Sequence, residues 1–379
     1  MKTDWVVVGA GFTGATFAER LAVAGKRVLV IDARDHIGGN AFDEHNEHGI
    51  LIHRYGPHIF HTNSIQIWEY LSRFTEWRPY QHHVLGYVEG HLVPIPFNLN
   101  SLAALFPSSL ASKIEDRLVS EFGFGKKVPI LKLRESGDEI IREFANYVFR
   151  HVFEQYTIKQ WGLRPEELSP SVTARVPVYI SRDDRYFQDT YQAMPLRGYT
   201  ALFRRMLAHP NIKLMLNCDF KELVEDLTTE RIFYTGAIDE LLDYRLGPLP
   251  YRSLRFEQRT LQETRHLPAG TVNYPSNNDF TRITEQKTLT GQHSTVTTLI
   301  TEFPEPHVPG RTIAYYPIPR DENKLLHDRY AEIATQEFPR MTIAGRLGDY
   351  QYYNMDQACA RALKLAQKLC GVDKAQTSS

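Results

Sequence analysis

The first forty residues constrain this chain most, because a strand, a glycine turn, a helix and a second strand follow one another there. Trp5-Val6-Val7-Val8 is a continuous run of β-favouring residues, the pattern of a buried strand, and it ends at Gly9-Ala10-Gly11-Phe12-Thr13-Gly14. Apolar residues then recur at helical spacing over 15–24, Gly25 supplies a C-cap, and Arg27-Val28-Leu29-Val30-Ile31 reads as the next strand. In this GxGxxG context Gly9 permits the tight turn, Gly11 lets the backbone approach a pyrophosphate, and Gly14 lets the helix pack close to the sheet. The helix start, with Phe12 and Thr13, turns free N–H groups towards the phosphates. Asp32 stands at the end of the second strand, where a carboxylate accepts both ribose hydroxyls and disfavours a 2′-phosphate. The expectation is a dinucleotide-binding Rossmann unit.

The remainder of the chain is too long for that unit alone. With 379 residues, 42% of them hydrophobic, it can fill two or three substructures. Its 44 basic and 45 acidic residues nearly cancel, so no general field attracts nucleic acid or an anionic membrane, and an anionic ligand must be held by local groups. There is no apolar stretch of the roughly 18 residues a membrane-spanning helix needs, and no leader pattern at Met1-Lys2-Thr3-Asp4. A soluble, cytoplasmic protein without membrane insertion is expected. Cys218, Cys359 and Cys370 are widely spaced, without a CxxC pair, and are read as buried thiols, so no metal site is expected.

Specific resemblance begins after Asp32. Ala33-Arg34-Asp35-His36-Ile37-Gly38-Gly39-Asn40 resembles the second fingerprint of FAD-binding amine oxidases and mutases. Gly56-Pro57-His58-Ile59-Phe60-His61-Thr62, Tyr156-Thr157-Ile158-Lys159-Gln160-Trp161-Gly162, Asp184-Arg185-Tyr186-Phe187-Gln188-Asp189, Phe280-Thr281-Arg282-Ile283-Thr284-Glu285 and Gly345-Arg346-Leu347-Gly348 come next, in that order. Together they resemble the UDP-galactopyranose mutase family over about residues 4 to 369. The resemblance implies FAD, active when reduced, and interconversion of UDP-galactopyranose and UDP-galactofuranose. Its route is attack of flavin N5 on the anomeric carbon, with UDP as leaving group. It also implies an unidentified reductant such as NAD(P)H, a homo-oligomer, and a role in galactofuranose supply to cell-surface polysaccharide. The rival is an FAD amine oxidase or desaturase that transfers hydride.

The same resemblance assigns residues. Arg175, on a loop that moves in the family, and Arg282 clamp the diphosphate, and forked guanidinium donors suit that task. His58 joins them as a catalytic candidate, although contact of His58, Ile59 and His61 with the flavin or its shell is the favoured reading. Phe153, Tyr156 and Trp161 wall the uridine and sugar, with core packing the alternative for Phe153. Tyr186, Tyr352, Asn273 and His82 complete the substrate set, together with one of Tyr315 and Tyr316. Arg252, Arg346, Tyr353 and Met355 are placed on the flavin side. Asn354 stands where the family usually has aspartate, which removes a charge and adds two donors.

The expected fold is α/β. A discontinuous Rossmann-type FAD domain (1–63, 195–245, 335–372) carries an inserted helical domain (99–165) and an antiparallel sheet domain (64–98, 166–194, 246–334), with a disordered tail at 373–379.

Overall fold

A computed structural model describes residues 3–169, 177–224, 229–276 and 278–371. Arg175 and the tail at 373–379 lie outside the described residues. At the centre is a five-stranded sheet in the order Ile212–Met215, Val28–Ile31, Thr3–Val8, Thr229–Tyr234, Met341–Ile343, with every neighbouring pair parallel. Strands so placed are covered on both faces, which accounts for the unbroken apolar runs at 5–8 and 28–31. On one face the helix Phe12–Val23 packs Phe17 flat against Phe233, 3.7 Å between ring centroids, and edge-on to Trp5. The C-terminal helix Met355–Cys370 lies against that helix, with Cys359 and Ala362 fully buried between them. Val6, Leu29, Ile31, Phe220 and Leu241 form the core of the opposite face. The sheet is thus assembled from pieces separated by more than a hundred residues, as the discontinuous reading expects.

The second sheet has seven strands, in the order Tyr316–Pro317, Tyr251–Leu261, Thr297–Pro306, Arg282–Glu285, Thr271–Asn273, Val84–Val88, His91–Ile95. Its pairs are antiparallel except Thr271–Asn273 with Val84–Val88, which run parallel. Those two strands are joined by a very long stretch of chain, so a hairpin connection does not dictate their direction. Val178–Tyr179 pairs with Lys127–Val128, and Tyr191–Pro195 joins Phe60–Thr62 and Trp77–Pro79 in a separate small sheet. The described residues of the segment 166–194 therefore add no strand to the large sheet. The helix Asp321–Glu337 packs through Tyr330 and Ala334 beside Ile238, Leu249 and Tyr350, away from the sheet expected to take up all of 246–334.

Helices Leu99–Leu105, Ser108–Phe122, Ile130–Arg134 and Glu139–Val148 cluster over one end of that sheet. Glu139–Val148 continues through a π-helical turn, Phe149–Glu154, into Gln155–Trp161. A π turn inserts an extra residue into the helical repeat and re-aims the turns beyond it, here the face carrying Tyr156 and Gln160. Among the described residues no helix is long and apolar enough to cross a membrane, and no cluster of His, Cys, Asp and Glu could hold a metal ion.

Candidate functional site

Two cavities meet where the Rossmann sheet faces the seven-stranded sheet. The first, about 390 Å³, follows the glycine turn. Gly9 has φ +100°, and a Cβ on Gly14 would sit 1.9 Å from the Gly9 carbonyl oxygen, so both glycines are required by geometry. The helix behind them starts at Gly11 without a side-chain cap, leaving its first N–H groups to the cavity. Asp32 is anchored from both oxygens, accepting from the amides of Ala10 at 2.7 Å and Arg34 at 2.9 Å.

Gly9, Gly11, Phe12, Thr13, Gly14, Asp32, Ala33, Arg34, Gly38, Gly39 and Asn40 all line this cavity, as do His58, Arg346, Asn354 and Met355. Arg34 donates to Asn40 Oδ1 at 2.9 Å and lies over the Tyr55 ring. Ile59 and His61 line the second cavity, and Tyr353 a third cleft. The Tyr353 carbonyl nevertheless accepts from Arg346 Nη2 at 2.7 Å and so orients that side chain.

Arg252 lines neither of the two cavities. It is buried and donates from Nε to the carbonyl of Gln160 at 2.9 Å and from Nη2 to that of Lys159 at 3.1 Å. The guanidinium thereby takes up carbonyls that the end of the helix Gln155–Trp161 leaves unpaired. From the same turn, Lys159 Nζ reaches the carbonyls of Asn278 and Phe280, each at 3.1 Å, and that of Tyr274. Burial lowers its pKa to about 8. The helix is thus tied to the sheet by cations at both points.

The second cavity, about 540 Å³, adjoins the first and shares His58, Arg346, Asn354 and Met355 with it. Tyr156, Trp161, Tyr186, Asn273, Arg282, Tyr316, Tyr352 and His82 line it. Tyr315 and Tyr316 are separated here: Tyr316 faces this cavity and Tyr315 the first. Phe153 lines neither. It is buried in the helical core with Phe144, Val148 and Phe149, the packing alternative raised for it.

Arg282 and Glu302 face one another across neighbouring strands, with Arg282 Nε 3.2 Å from Glu302 Oε1. Burial is the largest single influence on the Arg282 cation and disfavours it, but the Glu302 carboxylate together with the nearby Tyr156, Tyr316 and Tyr186 more than offsets it and leaves the pKa well above that of ordinary arginine. Glu302 also lies 3.3 Å from the Thr281 hydroxyl. Sequence reading missed it, because what identifies it is the cross-strand register placing an acid opposite Arg282, which only the structure supplies. Burial raises the pKa of the Tyr156 and Tyr316 phenols, so both remain O–H donors.

His58 sits at the junction with a fixed tautomer. Its Nδ1 lies 2.8 Å from the Gly56 carbonyl, which can only accept, so Nδ1 carries the proton and Nε2 is a lone pair. Burial, reinforced by neighbouring His53, lowers its pKa to about 3. His82, beside Tyr80 OH at 3.1 Å, is lowered by burial to about 3 as well. His61 pairs with Asp189 at 3.0 Å and stacks on Phe187. Asn354 starts the C-terminal helix, its main-chain N–H donating to Gln357 Oε1 at 2.9 Å.

Comparison with known proteins agrees with this layout. The family model described as UDP-galactopyranose mutase matches residues 151–352, and that of an NAD(P)-binding Rossmann-like domain matches residues 7–74. A probable UDP-galactopyranose mutase of Klebsiella pneumoniae is 35% identical over 96% of this chain and 94% of its own. A dTDP-fucopyranose mutase of Escherichia coli is 32% identical over 96% and 97%. Among solved structures, a reduced UDP-galactopyranose mutase superposes with a TM-score of 0.75 at 16% identity, covering 100% of this chain and 96% of that one. A putrescine oxidase shares the fold at a TM-score of 0.59 and 13% identity, covering 98% and 99%.

Proposed function

Since the chain belongs to the UDP-galactopyranose mutase family, we propose that it interconverts UDP-galactopyranose and UDP-galactofuranose with FAD in the first cavity and the nucleotide sugar in the second. The observation that carries this reading is the junction: one cavity built for a dinucleotide opens beside another walled by an arginine, tyrosines and amides. The first fits FAD, with the glycine turn and uncapped helix start on the pyrophosphate and Asp32 on the ribose. When bound and reduced, the flavin supplies a nucleophilic nitrogen for the anomeric carbon.

Arg282 holds the diphosphate, and its pairing with Glu302 keeps the guanidinium charged and aimed into the cavity. Donors preorganised for developing charge are worth about 2.7–4 kcal/mol. Tyr156 and Tyr316 add O–H donors around the same group. His58 cannot act as an acid near neutrality because its pKa is about 3; its Nε2 lone pair accepts a hydrogen bond from cofactor or sugar. Arg175 serves as the second clamp, and NAD(P)H or an equivalent donor supplies the electrons.

The test is conversion of UDP-galactofuranose by dithionite-reduced protein, with the two nucleotide sugars then separated by chromatography. Conversion on reduction, and none in the oxidised state, is expected; inactivity in both states refutes the reading. Because the dTDP-fucopyranose mutase is nearly as similar, dTDP-fucofuranose is run beside it, and exclusive turnover of that compound would reassign the sugar and base. Flavin bleaching by an amine would instead favour hydride transfer.

A further inference from the structure

Gln160 received no role from the sequence, yet among the described residues its Oε1 is a buried oxygen with no hydrogen-bond partner. The residue is 7% exposed and lines the second cavity, while its main-chain carbonyl is held by Arg252. Burying a carboxamide unpaired is costly, so such a group on a cavity wall calls for a partner that enters the cavity.

Its place along the cavity indicates which part of a nucleotide sugar that partner is. Tyr156 precedes Gln160 by about one helical turn and shares its face, about 6 Å away along the axis. Tyr156 lies within the field of Arg282 and Glu302. Beyond Gln160, the Trp161 ring is 6.3 Å from that of Tyr316 and 6.0 Å from that of Tyr352. Both tyrosines lie under the guanidinium of Arg346, which lines the dinucleotide cavity as well. Tyr316 also lies in the field of Arg282 and Glu302 and so spans both groups, whereas the turn carrying Gln160 and Trp161 faces Tyr352 and Arg346, the side of the cavity that adjoins the cofactor. Asn273 Oδ1, a second buried oxygen without a partner, lines the same cavity. A carboxamide both donates and accepts, which matches a neutral ring bearing several hydroxyls.

We propose that Gln160 is a substrate-contacting, specificity-determining residue whose carboxamide hydrogen-bonds a hydroxyl of the sugar ring and does not touch the nucleotide. The inference rests on the nucleotide-sugar reading of the cavity. It is tested with oxidised, flavin-loaded protein, which binds without turning over, by calorimetric titration with UDP and with UDP-galactose. In Gln160→Met the dissociation constant for UDP-galactose rises about five- to tenfold, while that for UDP and the flavin absorbance spectrum stay within error of the parent. Gln160→Asn, which withdraws the amide by one methylene, carries the same expectation and serves if the methionine variant does not accumulate. Equal weakening of both ligands, or no change in either, overturns the assignment. Failure of the unsubstituted protein to bind UDP at all removes the nucleotide-sugar reading first, and the two failures are thereby distinguished.

Discussion

Replacing Arg252 by Met removes two charge-assisted hydrogen bonds, to the carbonyls of Gln160 at 2.9 Å and Lys159 at 3.1 Å. Bonds to charged groups contribute about 1.5–3 kcal/mol each. Part of that is returned, because the guanidinium is buried and its pKa is already lowered by desolvation. A net loss on the order of 3 kcal/mol remains, concentrated on the end of the helix Gln155–Trp161, and by the tenfold-per-1.4 kcal/mol relation it raises the locally open population roughly 100-fold. Native-state hydrogen exchange on amides of residues 155–162 reads that opening directly. Affinity for UDP should fall with it, since Tyr156 and Trp161 ride on this helix, while bound flavin stays stoichiometric. The reverse pattern, flavin lost and UDP binding intact, would refute the reasoning and return Arg252 to the flavin side.

Gly14→Ala should yield a colourless protein, because the added Cβ would lie 1.9 Å from the Gly9 carbonyl oxygen and break the turn; flavin absorbance after purification checks it. Arg282→Ala should keep its flavin while turnover falls by about 100- to 1,000-fold, and wild-type turnover at saturating substrate would remove Arg282 from the mechanism. His53 is lowered to about 4, and His58 and His82 to about 3, in each case chiefly by burial. Unfolded histidines take up protons near pH 6.5 and these folded ones do not. Their stabilisation is thus complete above about pH 6.5 and is lost as pH falls from there towards 3–4, each histidine contributing about 1.4 kcal/mol per pH unit. Denaturant midpoints at pH 7.5, 6 and 5 should decline in that order, and a flat series would contradict the burial.

The glycine turn was legible because its requirements are local: positive φ at Gly9 and a missing Cβ at Gly14 are imposed by the turn itself. Residues whose role depends on which face they present were less so. Phe153 and Tyr156 are both aromatic on one helical stretch, and the π turn between Phe149 and Glu154 decides that the first joins the core and the second the cavity. Tyr315 and Tyr316 are neighbours in the chain, and extended backbone sends alternate side chains to opposite sides. Arg252 shows the limit of reading charge by type. A buried arginine serves a ligand or a helix end equally well, and the chain alone does not contain the register that brings Gln160 to it. Glu302 was invisible for the same reason, since its partner lies twenty residues away across a strand pair.

The split construction of the five-stranded sheet sets the order in which this protein can mature. Met341–Ile343 supplies an outer strand and Met355–Cys370 covers the helix behind the glycine turn, so a ribosome has made almost the whole polypeptide before the sheet gains its last strand and that helix its cover. The emerging N-terminal segment must wait with its apolar runs exposed, and long-range pairings of this kind form slowly. Capture of flavin is then a late event in biogenesis, and a truncated nascent chain that stops short of residue 341 should bind neither cofactor nor nucleotide.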